Sequence, residues 1–325
     1  MRQAKQFVLM ALCVTSIVSF AATEKGASTK ANLSKDESVS NTGLFTAYIP
    51  EAFFNYFDFK FDSNSAGNFN RYDGHSRQYG IAGNAFSLSQ LGAVGVYLYR
   101  VDSKVNSQML LAPGPLTTQN QDIKNDVVMV RLLKLIGFLT FDASAGYGRI
   151  KADNRVLFPA TGVTGYGSSS NNNWFASLTA LFIKNYAKHY VSGNARVIYT
   201  NVKSGNYRLS YGPFGDSFFI APNTTKATWI QENLEAGYHI NELLTPFIHG
   251  GLIQVADFSN SRNLITSPIV GAIPQLNNNK SGYLIGGGVT LTHSQMTLRI
   301  EQQYYRTGSA YHSNQTLAKF TFLLD

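Results

Sequence analysis

The feature that most restricts this sequence is a period of two, recurring from Leu44 onward without any long apolar run beside it. Trp174, Ala176, Leu178, Ala180 and Phe182 alternate with Phe175, Ser177 and Thr179, and Phe141, Ala143, Ala145 and Tyr147 alternate with Asp142, Ser144 and Gly146. Ile230, Leu234, Ala236 and Tyr238 interleave with Gln231, Asn233 and Glu235, as do Met296, Leu298, Ile300 and Tyr304 with Thr297, Arg299, Glu301 and Gln303. Successive side chains of a strand point to opposite faces, so each segment predicts a strand with one apolar and one polar face. Past the first twenty-odd residues nothing offers the about 18 consecutive apolar residues of a membrane helix, which excludes a helical bundle. Charged residues make up 14%, against roughly 25% in an ordinary soluble domain. Aromatics reach 13% and mean hydropathy is −0.10. Disordered chains are charge-rich and aromatic-poor, so disorder is excluded as well. What remains is a wall facing lipid on one side and a lumen on the other, whose average hides both.

About twelve such segments can be counted: 45–61, 76–87, 91–103, 121–133, 135–150, 171–184, 189–203, 225–240, 243–256, 280–292, 295–307 and 314–324. Their connections alternate in length. Short ones fall at Leu88–Gln90, Lys134, Asn185–Lys188, Asn241–Glu242 and His293–Ser294, and long ones at 62–75, 104–120, 151–170, 204–224, 257–279 and 308–313. Short periplasmic turns between longer extracellular loops are the asymmetry of a transmembrane antiparallel β-barrel, and an even strand number leaves both chain ends in the periplasm. The fold class expected is therefore all-β, a twelve-stranded membrane barrel. A propeller would repeat one motif per blade, and none is seen. A soluble sandwich would want a richer inward face than Gln231, Asn233 and Glu235. Tyr and Trp gather near strand ends, at Tyr97, Tyr99, Tyr147, Trp174, Tyr199, Trp229, Tyr238, Tyr304 and Tyr305, as interfacial girdles require.

Arg2 and Lys5 precede an apolar run from Phe7 to Phe20, followed by Ala21 and Ala22. A basic start, an apolar middle and small residues at Ser19 and Ala21 predict a secretory signal over residues 1–22. Cys13, the sole cysteine, lies inside it, so the mature chain is expected to lack disulfides and thiol chemistry. Removing Arg2 and Lys5 takes two from the 27 basic residues against 19 acidic ones, leaving a balance near +6. Residues 23–43 hold only Leu33 and Val39 as sizeable apolar groups and are expected to form a flexible periplasmic or lumen-threading segment. The barrel is expected over 44–325.

Charges sharing a face with Gly and Ser are expected to line the lumen: Asp58, Lys60, Arg131, Asp142, Arg196, Glu235, Arg299, Glu301 and Lys319. Facing lipid near midplane each would cost roughly 2–4 kcal/mol. Two roles stay open for them: a cross-barrel network that stiffens or plugs the lumen, or a wet constriction that biases ion passage. Both signs are present, so strong ion selectivity is not expected. The six histidines contain no metal-ligand spacing and are read as polar lumen residues. Gly215-Asp216-Ser217-Phe218 resembles an esterase nucleophile block, but it lies in a loop with no Gly-x-Ser-x-Gly elbow. His312-Ser313 at a loop could be half of a hydrolase dyad, but adjacent residues rarely point the right way in a strand. No enzyme, metal, cofactor or nucleic-acid partner is expected.

Four stretches together resemble the C-terminal β-domain of autotransporters, the type V secretion translocators. They are Tyr79-Gly-Ile-Ala-Gly-Asn with Leu91-Gly-Ala-Val-Gly-Val-Tyr; Phe141-Asp-Ala-Ser-Ala-Gly-Tyr-Gly-Arg149; Leu234 to His249 with its Leu-Thr-Pro-Phe; and Gly286-Gly-Gly-Val-Thr-Leu with Leu298-Arg-Ile-Glu-Gln-Gln-Tyr-Tyr. The resemblance implies a twelve-stranded translocator barrel, here with little or no passenger ahead of it. It also implies a C-terminal signal for the barrel-assembly machinery, carried by Gln315, Leu317, Phe320 and Phe322. The expected location is the outer membrane of a Gram-negative bacterium, with lipid and anionic lipopolysaccharide as surroundings. Two other roles remain open at this stage: a passive porin-like channel for small solutes, and an adhesin acting on an unidentified surface ligand through the long loops.

Overall fold

The computed structural model describes residues 49–65, 68–88, 91–110, 116–159, 161–211, 216–220, 222–260, 281–308 and 311–323. The expected signal (1–22), the segment 23–43 and most of loop 257–279 lie outside the described residues. Fourteen strands are described. In chain order they are β1 (Ile49–Ser65), β2 (Asn68–Ser87), β3 (Ala93–Leu110), β4 (Thr117–Ile136), β5 (Leu139–Phe158), β6 (Val163–Asn185) and β7 (His189–Ser204), then β8 (Tyr207–Tyr211), β9 (Asp216–Ile220), β10 (Asn223–Tyr238), β11 (Leu244–Asn260), β12 (Gly282–His293), β13 (Met296–Thr307) and β14 (Tyr311–Phe322).

Twelve of them form one closed antiparallel ring. β1 to β7 pair in sequence, β7 pairs with β10, and β10 to β14 continue in sequence. β1 then closes on β14 in a ladder from Glu51↔Thr321 to Phe61↔Tyr311. β8 and β9 stand apart as a hairpin inside the predicted loop 204–224, attached to the outer end of β6 through Gly165↔Tyr211. The expected ring count holds, and the hairpin is an addition to it. Its strands are five residues long, too short for a periodic signal to register.

Several strands run farther outward than the sequence pattern indicates. β4 begins at Thr117 rather than 121, and β5 reaches Phe158 rather than 150. Much of the predicted loops 62–75, 104–120 and 151–170 is therefore strand. The reason is chemical: beyond the membrane the outward face meets water, so Lys151, Asp153 and Arg155 replace apolar residues and the alternation loses contrast. The turn expected at Lys134 sits instead at Gly137-Phe138, where Gly137 takes a φ of 62° that favours glycine.

Outward faces carry an apolar band. On β5 it runs through Phe141, Ala143 and Ala145 to Tyr147. From the turn residue Phe138 to Tyr147 is about 30 Å of strand, which at a tilt of roughly 40° stands ~23 Å tall, near the about 25 Å of an outer-membrane barrel. Tyr79, Tyr147, Trp174 and Tyr283 are exposed along its outer edge. No described helix is long and apolar enough to cross a membrane; strands do the crossing. The fold is that of an outer-membrane β-barrel.

The interior corrects one expectation. It is not uniformly polar, because aromatic and aliphatic side chains form a buried cluster inside the ring, including Phe57, Phe59, Phe61, Tyr72, Ile123, Ile198, Trp229, Tyr305 and Tyr311. A second cluster holds Phe53, Tyr97, Tyr99, Val127, Met129 and Phe175. On β1 the inward residues are Glu51, Phe53, Asn55, Phe57, Phe59 and Phe61, and Asp58 and Lys60 are exposed on the outward face. They sit beyond Phe54 and Tyr56, past the apolar band, where charge meets water and not lipid. The histidines are corrected in the same way. Only His249 is buried inside; His75 stacks on Tyr56, His189 on Tyr186 and His312 on Tyr304, all away from the lumen, and His239 and His293 lie at turns.

Candidate functional site

Toward the periplasmic end the inward face carries its ionisable groups in a belt. Arg299 on β13 is the centre of one half. Its Nη2 donates to Glu235 Oε2 at 2.8 Å and to Glu301 Oε2 at 2.8 Å, while Nε donates to Glu301 at 3.0 Å and Nη1 to Glu235 at 3.3 Å. The guanidinium lies 3.6 Å from the centre of the Phe247 ring, an arrangement in which a planar cation stacks while its edge stays free for carboxylates. Tyr190 donates to Glu235 at 2.7 Å, and His249 Nε2 stands 2.9 Å from Glu301 Oε1. β7, β10, β11 and β13 all contribute.

The other half begins beside it, because the β13–β14 ladder sets Lys319 directly opposite Arg299. Lys319 Nζ is 3.0 Å from Glu51 Oε1. Tyr97 links Glu51 to Arg131, donating to the carboxylate at 3.4 Å and accepting from Arg131 Nη1 at 3.2 Å, while Asn84 donates to the same phenol at 2.7 Å. Arg131 then grips Asp142 with Nε and Nη2, both at 2.9 Å. Asp142 faces Thr179 across β5 and β6, and Arg196 Nε donates to Thr179 at 3.0 Å. Arg196 faces Gln231 on β10, the strand that carries Glu235. The belt thus returns to its start.

Among the described buried residues the belt holds four fixed cations (Arg131, Arg196, Arg299, Lys319) and four acids (Glu51, Asp142, Glu235, Glu301), with His249 beside them. Charges taken out of water are costly unless paired and hydrogen-bonded, and the equal count is what such a site needs. Arg131, Asp142, Arg196, Glu235 and Lys319 each make further contacts beyond these. Sequence reasoning missed Glu51, Asn84, Tyr97 and Tyr190, whereas His249 lies in the interior as a polar residue, as read from the sequence. Glu51 shares parity with Asn55 and could have been found from that alone. The two tyrosines look like any strand tyrosine until the register is known.

The remaining expected residues lie elsewhere. Gln315 and Leu317 are buried on the inward face of β14, while Phe320 is 40% exposed on the outward face and Phe322 half-buried at the strand end. Ser217 is exposed on β9, and His312 and Ser313 occupy opposite faces of β14.

No family model matches the sequence, and no curated protein matches it. Solved structures do match in fold. The translocator domain of the autotransporter NalP from Neisseria meningitidis superposes with a TM-score of 0.59 at 12% identity, over 85% of this chain and 88% of that one. The transport unit of the autotransporter AIDA-I from Escherichia coli gives 0.55 at 9% identity, over 89% and 93%. The β-domain of the Bordetella autotransporter BrkA gives 0.51 at 14% identity, over 85% and 99%. The chain has the fold of autotransporter translocator barrels.

Proposed function

We propose that this chain is a translocator-type barrel of a Gram-negative outer membrane, that its lumen is occupied rather than open, and that residues 23–43 are the segment that enters it. The observation that carries the reading is the burial of small inward side chains. Eight strands enclose an interior just wide enough for side chains to fill, and twelve enclose more. Yet Asn55, which donates to Gln78 on β2, and Ser76, which donates to Ser103 on β3, are short side chains and both 0% exposed. The charge belt supports the same reading. It presents donors and acceptors of both signs around a passing backbone and favours neither cations nor anions as solutes. A signal over 1–22, delivery by the barrel-assembly machinery through Gln315, Leu317, Phe320 and Phe322, and surroundings of outer-membrane lipid and lipopolysaccharide belong to this proposal. No catalytic role is part of it; the folds it resembles belong to translocators.

Planar-bilayer conductance of the mature protein, beside a variant lacking residues 23–43, tests it. The expected result is a closed intact barrel that conducts once the segment is removed. Steady open channels in the intact protein would make it a passive pore. If the deletion variant also stayed closed, the belt and the apolar interior would be the seal and the threading idea would fall. A second reading, interaction through the extracellular end, is favoured by the β8–β9 hairpin, which packs Tyr207, Leu209 and Tyr211 against Val156 and Phe158 and so builds an ordered rim.

A further inference from the structure

We propose that the outer wall of the barrel holds a binding site for the phosphate groups of a phosphorylated outer-leaflet glycolipid, formed by Lys124 on β4 with Arg149 and Lys151 on β5. The inference rests on the membrane placement above and names a specific lipid contact within it. Along β5 the outward residues change from Ala143, Ala145 and Tyr147 to Arg149 and Lys151, all exposed. Along β4 they change from Val130 and Val128 to Asp126 and Lys124. The change falls at the outer aromatic edge of the apolar band. At about 3.3 Å per residue, Arg149 and Lys151 lie about 7 and 13 Å beyond Tyr147 along the strand, at the level of lipid headgroups.

The ladder sets Lys124 directly opposite Lys151 and Arg149 opposite Asp126. Asp126 is already held by Arg100 at 2.6 Å. Among the described residues no acid lies within ion-pair distance of Lys124, Arg149 or Lys151. Like charges facing each other across a ladder are destabilising unless something neutralises them. Four acids are near: Asp126, and Asp102 on β3, which stands opposite Lys124 and accepts a 2.9 Å hydrogen bond from Tyr79, offset part of the charge, and two more lie farther out. Asp122 and Asp153 sit one outward position farther from the membrane, opposite each other, and Asp153 accepts a 2.6 Å hydrogen bond from Ser168. Exchanging one lysine for one aspartate would have paired all four. Instead, at these two levels of β3 to β5 the four cations Arg100, Lys124, Arg149 and Lys151 meet only the two acids Asp102 and Asp126. Such an excess of positive charge fits an anionic layer at that height.

Among the described residues, β12 and β13 carry no such cluster. On β12 and β13 the apolar band ends at Tyr283 and Tyr304, and the next cation, Arg306, donates Nε to the Gly308 carbonyl at 3.1 Å. A phosphate monoester carries about −1.5 to −2 charges and three acceptor oxygens, which suits three adjacent cationic donors.

The test uses the mature protein in neutral detergent and in zwitterionic vesicles, with bisphosphorylated lipid A and its dephosphorylated form as probes. Native mass spectrometry reads binding, and vesicle flotation reads insertion. The expected outcome is a saturable lipid A complex weakened at least about tenfold in Lys124→Gln/Arg149→Gln/Lys151→Gln. Dephosphorylated lipid should bind no better to the original chain than to the variant. Lys60→Gln/Lys226→Gln, which removes two outward cations elsewhere, should bind lipid A as the unaltered protein does. Equal lipid A binding by the triple variant would overturn the site, as would equal binding of the dephosphorylated lipid. Displacement by millimolar inorganic phosphate would assign the cluster to free phosphate and remove the lipid. A protein that does not float with vesicles loses the membrane reading and the site together; one that floats without discriminating loses the site alone.

Discussion

At the scale of single residues, the belt puts Arg299 under more constraint than any other side chain described. It is 2% exposed, serves two carboxylates and stacks on Phe247. Replacing it leaves Glu235 and Glu301 facing each other without a guanidinium, and Lys319 is already committed to Glu51. Arg299→Met is therefore expected to destabilise the barrel by about 3–5 kcal/mol, the usual result of breaking a buried pair from one side. Glu235→Gln should cost less, since the amide oxygen still accepts from Arg299 and Tyr190 while Glu301 still pairs with the guanidinium. Arg299→Met/Glu235→Gln/Glu301→Gln should recover part of the loss, because neither carboxylate is then left without its guanidinium. Urea titration of folded protein in detergent micelles, followed by the gel shift between folded and heated forms, gives the order. A single arginine variant as stable as the original would show that the belt contributes little.

At the scale of elements, the parity of a strand decides which residues can act on the lumen. For β5, β6, β10 and β13 that parity was legible, since one face is plainly apolar and the other carries Asp142, Thr179, Glu235 or Arg299. On β1 it was not. Its inward face, apart from Glu51 and Asn55, is Phe53, Phe57, Phe59 and Phe61, and its outward face ends in Asp58 and Lys60. Where the interior is apolar and the exterior wet, the sequence pattern inverts and a charge points out. The pairing partners were equally hidden, because Arg299 and Glu235 are 64 residues apart and meet only through the register. Accessibility labelling checks the parity. Cys13 is the sole cysteine and lies in the expected signal, so a cysteine placed in the mature chain is read alone. Lys60→Cys should react with a membrane-impermeant maleimide on intact cells, and Phe59→Cys, one residue away on the buried face, should react far more slowly. The reverse order would put β1 in the opposite register.

At the scale of the whole molecule, the barrel is taller than the membrane it crosses. β5 continues for eleven residues beyond Tyr147, about 36 Å of strand at ~3.3 Å per residue, so its outer part stands in water with charged residues on its outward face. Height and sidedness together give the two tryptophans of the chain different surroundings. Trp174 is 43% exposed on the outward face, in contact with Tyr199 at the edge of the apolar band. Trp229 is 7% exposed and belongs to the apolar cluster inside the ring. It sits at a bulge between Thr228 and Trp229, where an extra residue in β11 shifts the register. In vesicles of brominated phospholipid, Trp229→Phe, which keeps only Trp174, is expected to be strongly quenched, since bromine in the acyl chains reaches an outward ring. Trp174→Phe, which keeps only Trp229, should retain most of its emission behind the wall. Equal quenching of both would mean that lipid reaches the interior and that the ring is not closed at β1 and β14. The opposite ranking would turn the barrel inside out, and with it every assignment of lumen and lipid face made from the alternation.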